Sequence, residues 1–182
     1  MFGARSLFKS KIWVLVVNLL LFPVQAFCFS QDFRSLDFHG TSVLLMNGKT
    51  GQILYAKDPH QQQYPASLTK LGTVLYAIHK KGDSSLATLL TGNQDAIGMI
   101  PTTKKKASNY TTPSHWLETN SSHIGIKRGE KLSYETLLYA VMLASADDAS
   151  NMVAQHVSGS VPQFIDELNR YLADLGCLNT NF

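Results

Sequence analysis

Pro65-Ala66-Ser67-Leu68-Thr69-Lys70 is the stretch on which the reading of this 182-residue chain turns. It sets a serine and a lysine at i and i+3, where a proline-stiffened extended segment gives way to an apolar-striped helix. Residues three apart on a helix share a face, so the Ser67 hydroxyl and the Lys70 amine come within hydrogen-bond reach. An amine beside a hydroxyl is one way to activate a weak nucleophile. The spacing alone is common. Ser6-Leu7-Phe8-Lys9 repeats it inside a segment that reads as a targeting sequence. The surrounding segments decide.

Downstream, Leu68, Leu71, Leu75 and Ile78 form one apolar stripe, Lys80-Lys81 sit in the last turn, and Gly82 can close the helix. Upstream, Thr41–Met46 and Gln52–Ala56 read as two strands joined through Asn47-Gly48, a strong hairpin signal. A short helix is expected from Leu86 to Leu90, ended by Gly92. Ala96 to Ser122 reads as a polar loop of unusual length, with Lys104-Lys105-Lys106 as its solvated tip. Ser133 then caps a helix to Ala144 that buries Leu137, Leu138, Val141 and Met142. Ser145-Ala146-Asp147-Asp148 interrupts it, and Asp148 is the expected cap of the next helix, which runs through Met152, Val153 and Val157 to Gly159. A third opens at Pro162, uses Phe164, Ile165, Leu168, Leu172 and Leu175, and stops at Gly176.

The expected fold class is therefore α/β (α+β), in the order hairpin and then helices only. Two strands alone are marginal in water, and a helical block on one hairpin leaves strand edges open. The chain reads as one that should return to a sheet after Phe182.

Length fits one domain. With 45% hydrophobic and 16% charged residues, composition is that of an ordinary globular protein. A net charge of +3 is too small to argue for nucleic acid. Two cysteines, Cys28 and Cys177, give neither a disulfide framework nor metal spacing, and the six histidines are scattered; no metal or other cofactor is expected. At the N-terminus, Arg5, Lys9 and Lys11 precede the apolar run Ile12–Phe22, then Pro23 and Val24-x-Ala26. That is a secretory signal over residues 1–26, with an apolar run too short for a membrane span of roughly 20 residues. The mature protein is expected to act outside the cytoplasmic membrane, in the periplasm or on the membrane's outer face. An uncleaved anchor is the other reading.

Several segments together resemble the serine-type D-alanyl-D-alanine carboxypeptidases, the low-molecular-mass penicillin-binding proteins. They are Asn47–Tyr55, Tyr64–Lys70, Ile124–Leu132, Leu137–Ser150, and the tail from Phe164 through Phe182, collinear over about residues 40–95 and 123–182. The resemblance implies a serine β-lactamase/D,D-peptidase-like fold over residues 33–182, represented by its N-terminal hairpin and helical block with the later strands missing. It implies acyl transfer on peptidoglycan stem peptides: Ser67 attacks the penultimate D-Ala carbonyl, Lys70 is the general base, and Ser145 relays protons to the leaving amine. β-Lactam antibiotics would acylate the same serine.

Two departures matter. The family's second motif reads Ser-x-Asn, and here its third position is Asp147, a substrate-binding position in the family. An amide both donates and accepts, whereas a carboxylate only accepts and favours the protonated lysine beside it. The family's third motif, Lys-Thr-Gly, lies on a strand well after the second. Here the triplet occurs only as Lys49-Thr50-Gly51, in the hairpin turn upstream of Ser67, and reads as coincidence. The stretch from Ala96 to Ser122 also reads as an insertion relative to the family. The chain is thus expected to be the N-terminal portion of a carboxypeptidase, as a fragment or a truncated gene product, with any C-terminal membrane anchor beyond it. Two other readings stand beside this one. One is a non-catalytic cell-wall-binding module or pseudoenzyme, which Asp147 and the absent third motif suggest. The other is a class A β-lactamase, which would need a deacylating glutamate; Glu167 falls instead in a helix matched to the carboxypeptidase pattern.

Overall fold

A computed structural model describes residues 38–182; the leader read at residues 1–26, with Cys28, lies outside the described residues. The chain divides after Gln63 into two compact units. In the first, β1 (Val43–Met46) and β2 (Ile53–Lys57) pair antiparallel, with Val43 opposite Lys57 and Leu45 opposite Tyr55. Asn47 makes the turn. Its side-chain oxygen accepts from the backbone N–H of Lys49 (2.9 Å) and Thr50 (3.2 Å), and Gly51 supplies the left-handed backbone, at φ +72°. Lys49-Thr50-Gly51 thus serves as turn backbone.

The second unit begins at Tyr64. Its long helices are α1 (Leu68–Lys81), α4 (Tyr134–Ala144), α5 (Asp147–Ser158) and α6 (Val161–Asp174), and between α1 and α4 lie β3 (Leu89–Thr91), α2 (Gln94–Ile97), β4 (Met99–Ile100), α3 (Thr102–Ala107), β5 (Leu117–Glu118) and β6 (Lys131–Ser133). Local chemistry sets most of the long boundaries. Ser133 Oγ accepts from Thr136 N–H (3.1 Å) to cap α4, and Ser160 Oγ accepts from Gln163 N–H (3.3 Å) to cap α6. Gly82 and Gly159 leave α1 and α5 at positive φ. The core joins Tyr76 and Ala77 of α1 to Leu137 and Val141 of α4, Met152 and Val153 of α5, and Phe164 and Leu168 of α6. Leu168 is fully buried. Leu168→Ala is expected to cost about 2–5 kcal/mol, read as a lower urea midpoint.

Glu167 staples the helices together. Its carboxylate accepts from Tyr76 Oη of α1 (2.7 Å), Ser158 Oγ of α5 (2.8 Å) and Gln163 Nε2 (3.0 Å), with Lys80 Nζ at 3.7 Å. The Tyr76 hydrogen bond, followed by those from Gln163 and Ser158, pulls its pKa from 4.5 down to about 2. A depressed carboxyl adds stability that is present above its unfolded value and is lost as pH falls through its folded one. Stability should therefore decline between about pH 4.5 and pH 2. Glu167→Gln should flatten that decline in urea titrations across the window, and an unchanged slope would refute the assignment.

Several expectations are corrected. Leu86–Leu90 is not a helix: a 3₁₀ turn at Asp83–Ser85 leads to β3, whose Leu90 pairs with Leu132 of β6. Gly92 is needed for close approach, since a Cβ there would sit 2.6 Å from the Lys127 carbonyl oxygen. Nor is 96–122 an unstructured loop. β4 and β5 pair parallel, Met99 opposite Leu117 and Ile100 opposite Glu118, and the lysine run lies within α3. Ala96, Ile100 and Leu117 are buried there, single anchors that carry no periodic signal. Helices do not simply follow the hairpin; three two-stranded sheets are present among the described residues.

The stripe of Leu68, Leu71, Leu75 and Ile78 is 45–71% exposed. α1 instead buries Thr73, Tyr76 and Ala77, because the Tyr76 hydroxyl finds Glu167 and the Thr73 hydroxyl donates to the Thr69 carbonyl (3.0 Å). Met142 and Leu175 are likewise exposed rather than buried. Among the described residues, no helix is long and apolar enough to cross a membrane.

Candidate active site

Ser67 occupies the N-cap position of α1, yet its hydroxyl makes no capping bond. In the same chain Ser133 and Ser160 spend their hydroxyls on their helices. The first turn of α1 is closed by backbone alone, with Leu68 N–H on the Pro65 carbonyl (3.0 Å) and Thr69 N–H on the Ala66 carbonyl (3.1 Å). Ser67 Oγ is left exposed and accepts from Ser145 Oγ at 2.8 Å.

Both serines stand at bent backbone. Ala66 takes φ +46° just before Ser67, and Ser145 itself takes φ +53° between α4 and α5. Left-handed backbone costs a residue with a Cβ about 1–2 kcal/mol, and such strain gathers at functional sites. At Ser145 it has a visible product. The chain turns from α4 into α5 within two residues, and the hydroxyl aims across at Ser67.

Lys70, one turn along α1, is 18% exposed and forms an ion pair with Asp147 in the first turn of α5. Its Nζ makes no hydrogen bond to Ser67 or Ser145; its hydrogen-bond partner is Asp147. The four residues expected at the site thus come together as two pairs, Ser67 with Ser145 and Lys70 with Asp147. The direct Ser67–Lys70 hydrogen bond expected from the i, i+3 spacing is not made, because the carboxylate outcompetes a neutral hydroxyl for the ammonium.

Asp148, expected to cap α5, does something else. It is 2% exposed, and its carboxylate accepts from the backbone N–H of Ile124 (3.2 Å), Gly125 (3.0 Å), Ile126 (3.0 Å) and Ala149 (2.9 Å). The N-cap is Ala146, without a side-chain bond. The Asp147 N–H donates to the Ser122 carbonyl at 2.8 Å, so segment 122–126 is fastened along the start of α5.

Lys70 and Asp147 also line a cavity of about 780 Å³, with Thr69, His115, Trp116, Asn151 and Phe164 on its other walls. Ser67 and Ser145 do not line it. One wall is tied to α5 by polar side chains. His115 Nε2 lies 3.0 Å from Asp95 Oδ1, Gln155 Nε2 donates to Asp95 Oδ2 (2.7 Å), and Asn151 Nδ2 donates to the carbonyls of Ala96 (3.0 Å) and His115 (2.8 Å). Burial opposes the charge on Asp95, but the hydrogen bond and electrostatic attraction of His115, together with the other hydrogen bonds it accepts, hold the carboxyl below its usual range. Sequence reasoning missed this network and the Asp148 clamp. Asn151 on the buried side of α5 was the available signal, since a buried amide needs partners.

Glu167 is engaged with Tyr76. Tyr76 lies nine residues beyond Ser67, about 13 Å along the helix axis, so this carboxylate has no access to Ser67. Among the described residues, no group of three His, Cys, Asp or Glu side chains is placed to hold a metal ion.

Comparison with known proteins gives a consistent result. The D-alanyl-D-alanine carboxypeptidase family model, peptidase S11, matches residues 29–182. The chain is 34% identical over 141 residues to D-alanyl-D-alanine carboxypeptidase DacA of Haemophilus influenzae, covering 76% of this chain and 32% of that one. It is 27% identical over 168 residues to DacF of Bacillus subtilis, covering 91% of this chain and 39% of the relative. Penicillin binding protein 6B from Escherichia coli superposes with a TM-score of 0.67 at 28% identity, over 81% of this chain and 42% of that one. Penicillin binding protein 5 from Haemophilus influenzae gives 0.65 at 30% identity, over 81% and 38%. The chain spans between about a third and two fifths of the length of these curated relatives.

Proposed function

This chain belongs to the D-alanyl-D-alanine carboxypeptidase family, peptidase S11, and we propose that it carries the acylating part of a serine D,D-carboxypeptidase centre. Ser67 is the nucleophile. The observation that supports it most directly is the Ser67 hydroxyl, released from capping and held at 2.8 Å by Ser145 Oγ.

In the proposed reaction, Ser67 Oγ attacks the penultimate D-Ala carbonyl of a peptidoglycan stem peptide while its proton passes to the Lys70 amine. The tetrahedral intermediate then breaks its C–N bond. The terminal D-Ala leaves as an amine, taking a proton returned through Ser145, and water later hydrolyses the Ser67 ester. A β-lactam opens by the same attack and remains on Ser67. The leader read at residues 1–26 would deliver the protein to that substrate, outside the cytoplasmic membrane.

Lys70 has to accept a proton for this to proceed, and an ammonium has no lone pair to offer. While it is paired with Asp147, it is out of service as a base. That ion pair favours a second reading, a non-catalytic member of the family that engages the cell wall without turnover.

Incubation with a fluorescent penicillin, followed by mass mapping of the labelled peptide, separates the readings. Stable label on the peptide containing Ser67 supports the carboxypeptidase centre. A folded protein that takes no label supports the non-catalytic reading, and rapid release of hydrolysed drug would point to a β-lactamase instead.

A further inference from the structure

We propose that Asp148 is a positioning residue for this centre, acting through segment 122–126 on the turn that carries Ser145 and Asp147; the proposal rests on the catalytic reading above. Asp148 is nearly sealed from solvent, at 2% exposure. Among the described residues no cationic side chain is paired with it. Its charge is instead met by four backbone N–H groups, three from Ile124, Gly125 and Ile126 and one from Ala149. Both carboxylate oxygens accept from this set, and a buried acceptor so surrounded by donors serves as a clamp.

What the clamp holds is specific. Segment 122–126 meets the start of α5 at two places: through the Asp148 carboxylate, and through the Ser122 carbonyl, which accepts from Asp147 N–H at 2.8 Å. Gly125 bends the segment at φ +76° so that consecutive N–H groups converge on one carboxylate. Asp147 is therefore fixed by its backbone on one side and by Lys70 on the other. Ser145, two residues back, sits at φ +53°, a conformation that an unsupported serine does not favour. Without the clamp, the hydrogen bond that still joins the segment to that turn is Ser122–Asp147. Reacting groups displaced by about 1 Å lose on the order of a hundredfold in rate.

Asp148→Asn tests this. An amide keeps one acceptor oxygen and turns the other into a donor, which then faces backbone donors. In the full chain, the expected result has two parts. At saturating fluorescent penicillin the acylation rate falls at least about tenfold, with the half-saturating concentration within about twofold of the parent. Amide hydrogen exchange speeds up at Ile124, Gly125 and Ile126 and also at Asp147. Glu167→Gln, a change in the helix staple away from the site, should lower stability without moving either readout.

Parent-like acylation in Asp148→Asn would overturn the proposal, as would faster exchange at 124–126 with none at Asp147. Should Asp148→Asn not fold, Gly125→Ala strains the same segment at its left-handed position and, with open space around the added methyl, should give the same two-part signature. If the parent itself takes no label, the catalytic reading fails, and coupled exchange between Ile124–Ile126 and Asp147 alone decides whether Asp148 positions the turn.

Discussion

Ser67→Ala is expected to abolish covalent capture of a penicillin altogether, with stability close to the parent's. The hydroxyl is exposed and makes no bond to its own helix, so its loss removes one exposed hydrogen bond, to Ser145. Such surface changes usually fall within about 0.5 kcal/mol. The chemistry has no substitute. No other described serine combines an N-cap position free of capping with a hydroxyl partner supplied from across a second helix junction. Ser145→Ala should be milder in effect. It leaves the nucleophile in place and removes the group that orients it, so labelling should slow by roughly 10²–10⁴, the range for a positioned proton-transfer group. The order of the two variants is the diagnostic. Equal labelling in parent and Ser67→Ala, or residual label mapping to another peptide, would remove Ser67 from the mechanism.

What could be read before the structure was whatever depends on neighbours in sequence. The start and end of α1, the Ser133 cap of α4 and the Asn47 turn each rest on a few adjacent residues, and the family motifs follow from the same local strings. The misreadings are all non-local. Leu89–Thr91 becomes a strand because Lys131–Ser133, some forty residues on, offers it a partner. Residues 94–118 are ordered by Asn151 and Gln155 of α5, which reach Ala96, His115 and Asp95. The leucine stripe of α1 is periodic yet exposed, since periodicity marks a face without saying what covers it. Asp148 sits two residues past the N-cap expected of it, and its carboxylate is held by Ile124–Ile126, which no cap rule anticipates. At the site, the residues were legible and their pairing was not. Lys70 and Asp147 are 77 positions apart, and only the charge argument suggested that they would meet.

That meeting makes Asp147→Asn the variant with the largest expected gain. In the structure the Lys70 ammonium is occupied by a carboxylate that cannot donate in return. An asparagine of nearly the same shape can still accept from Lys70 through its oxygen, but it brings no charge to pair with the ammonium, and it adds a donor that can face a substrate carbonyl. The lysine is then free to take the Ser67 proton. General-base assistance is worth about 10²–10⁴ in rate, so recovering part of it should speed acylation by about tenfold or more. Salt supplies an independent check. The ion pair is only part-buried, and dissolved ions screen such charges. Raising ionic strength should therefore speed the parent and leave Asp147→Asn nearly flat. The opposite result, a large loss of acylation in Asp147→Asn, would mean that the carboxylate itself takes part, as a proton acceptor or as a support for Lys70. Asp147 would then be an alternative solution to the chemistry of its motif position, and the ion pair its working state rather than a lock.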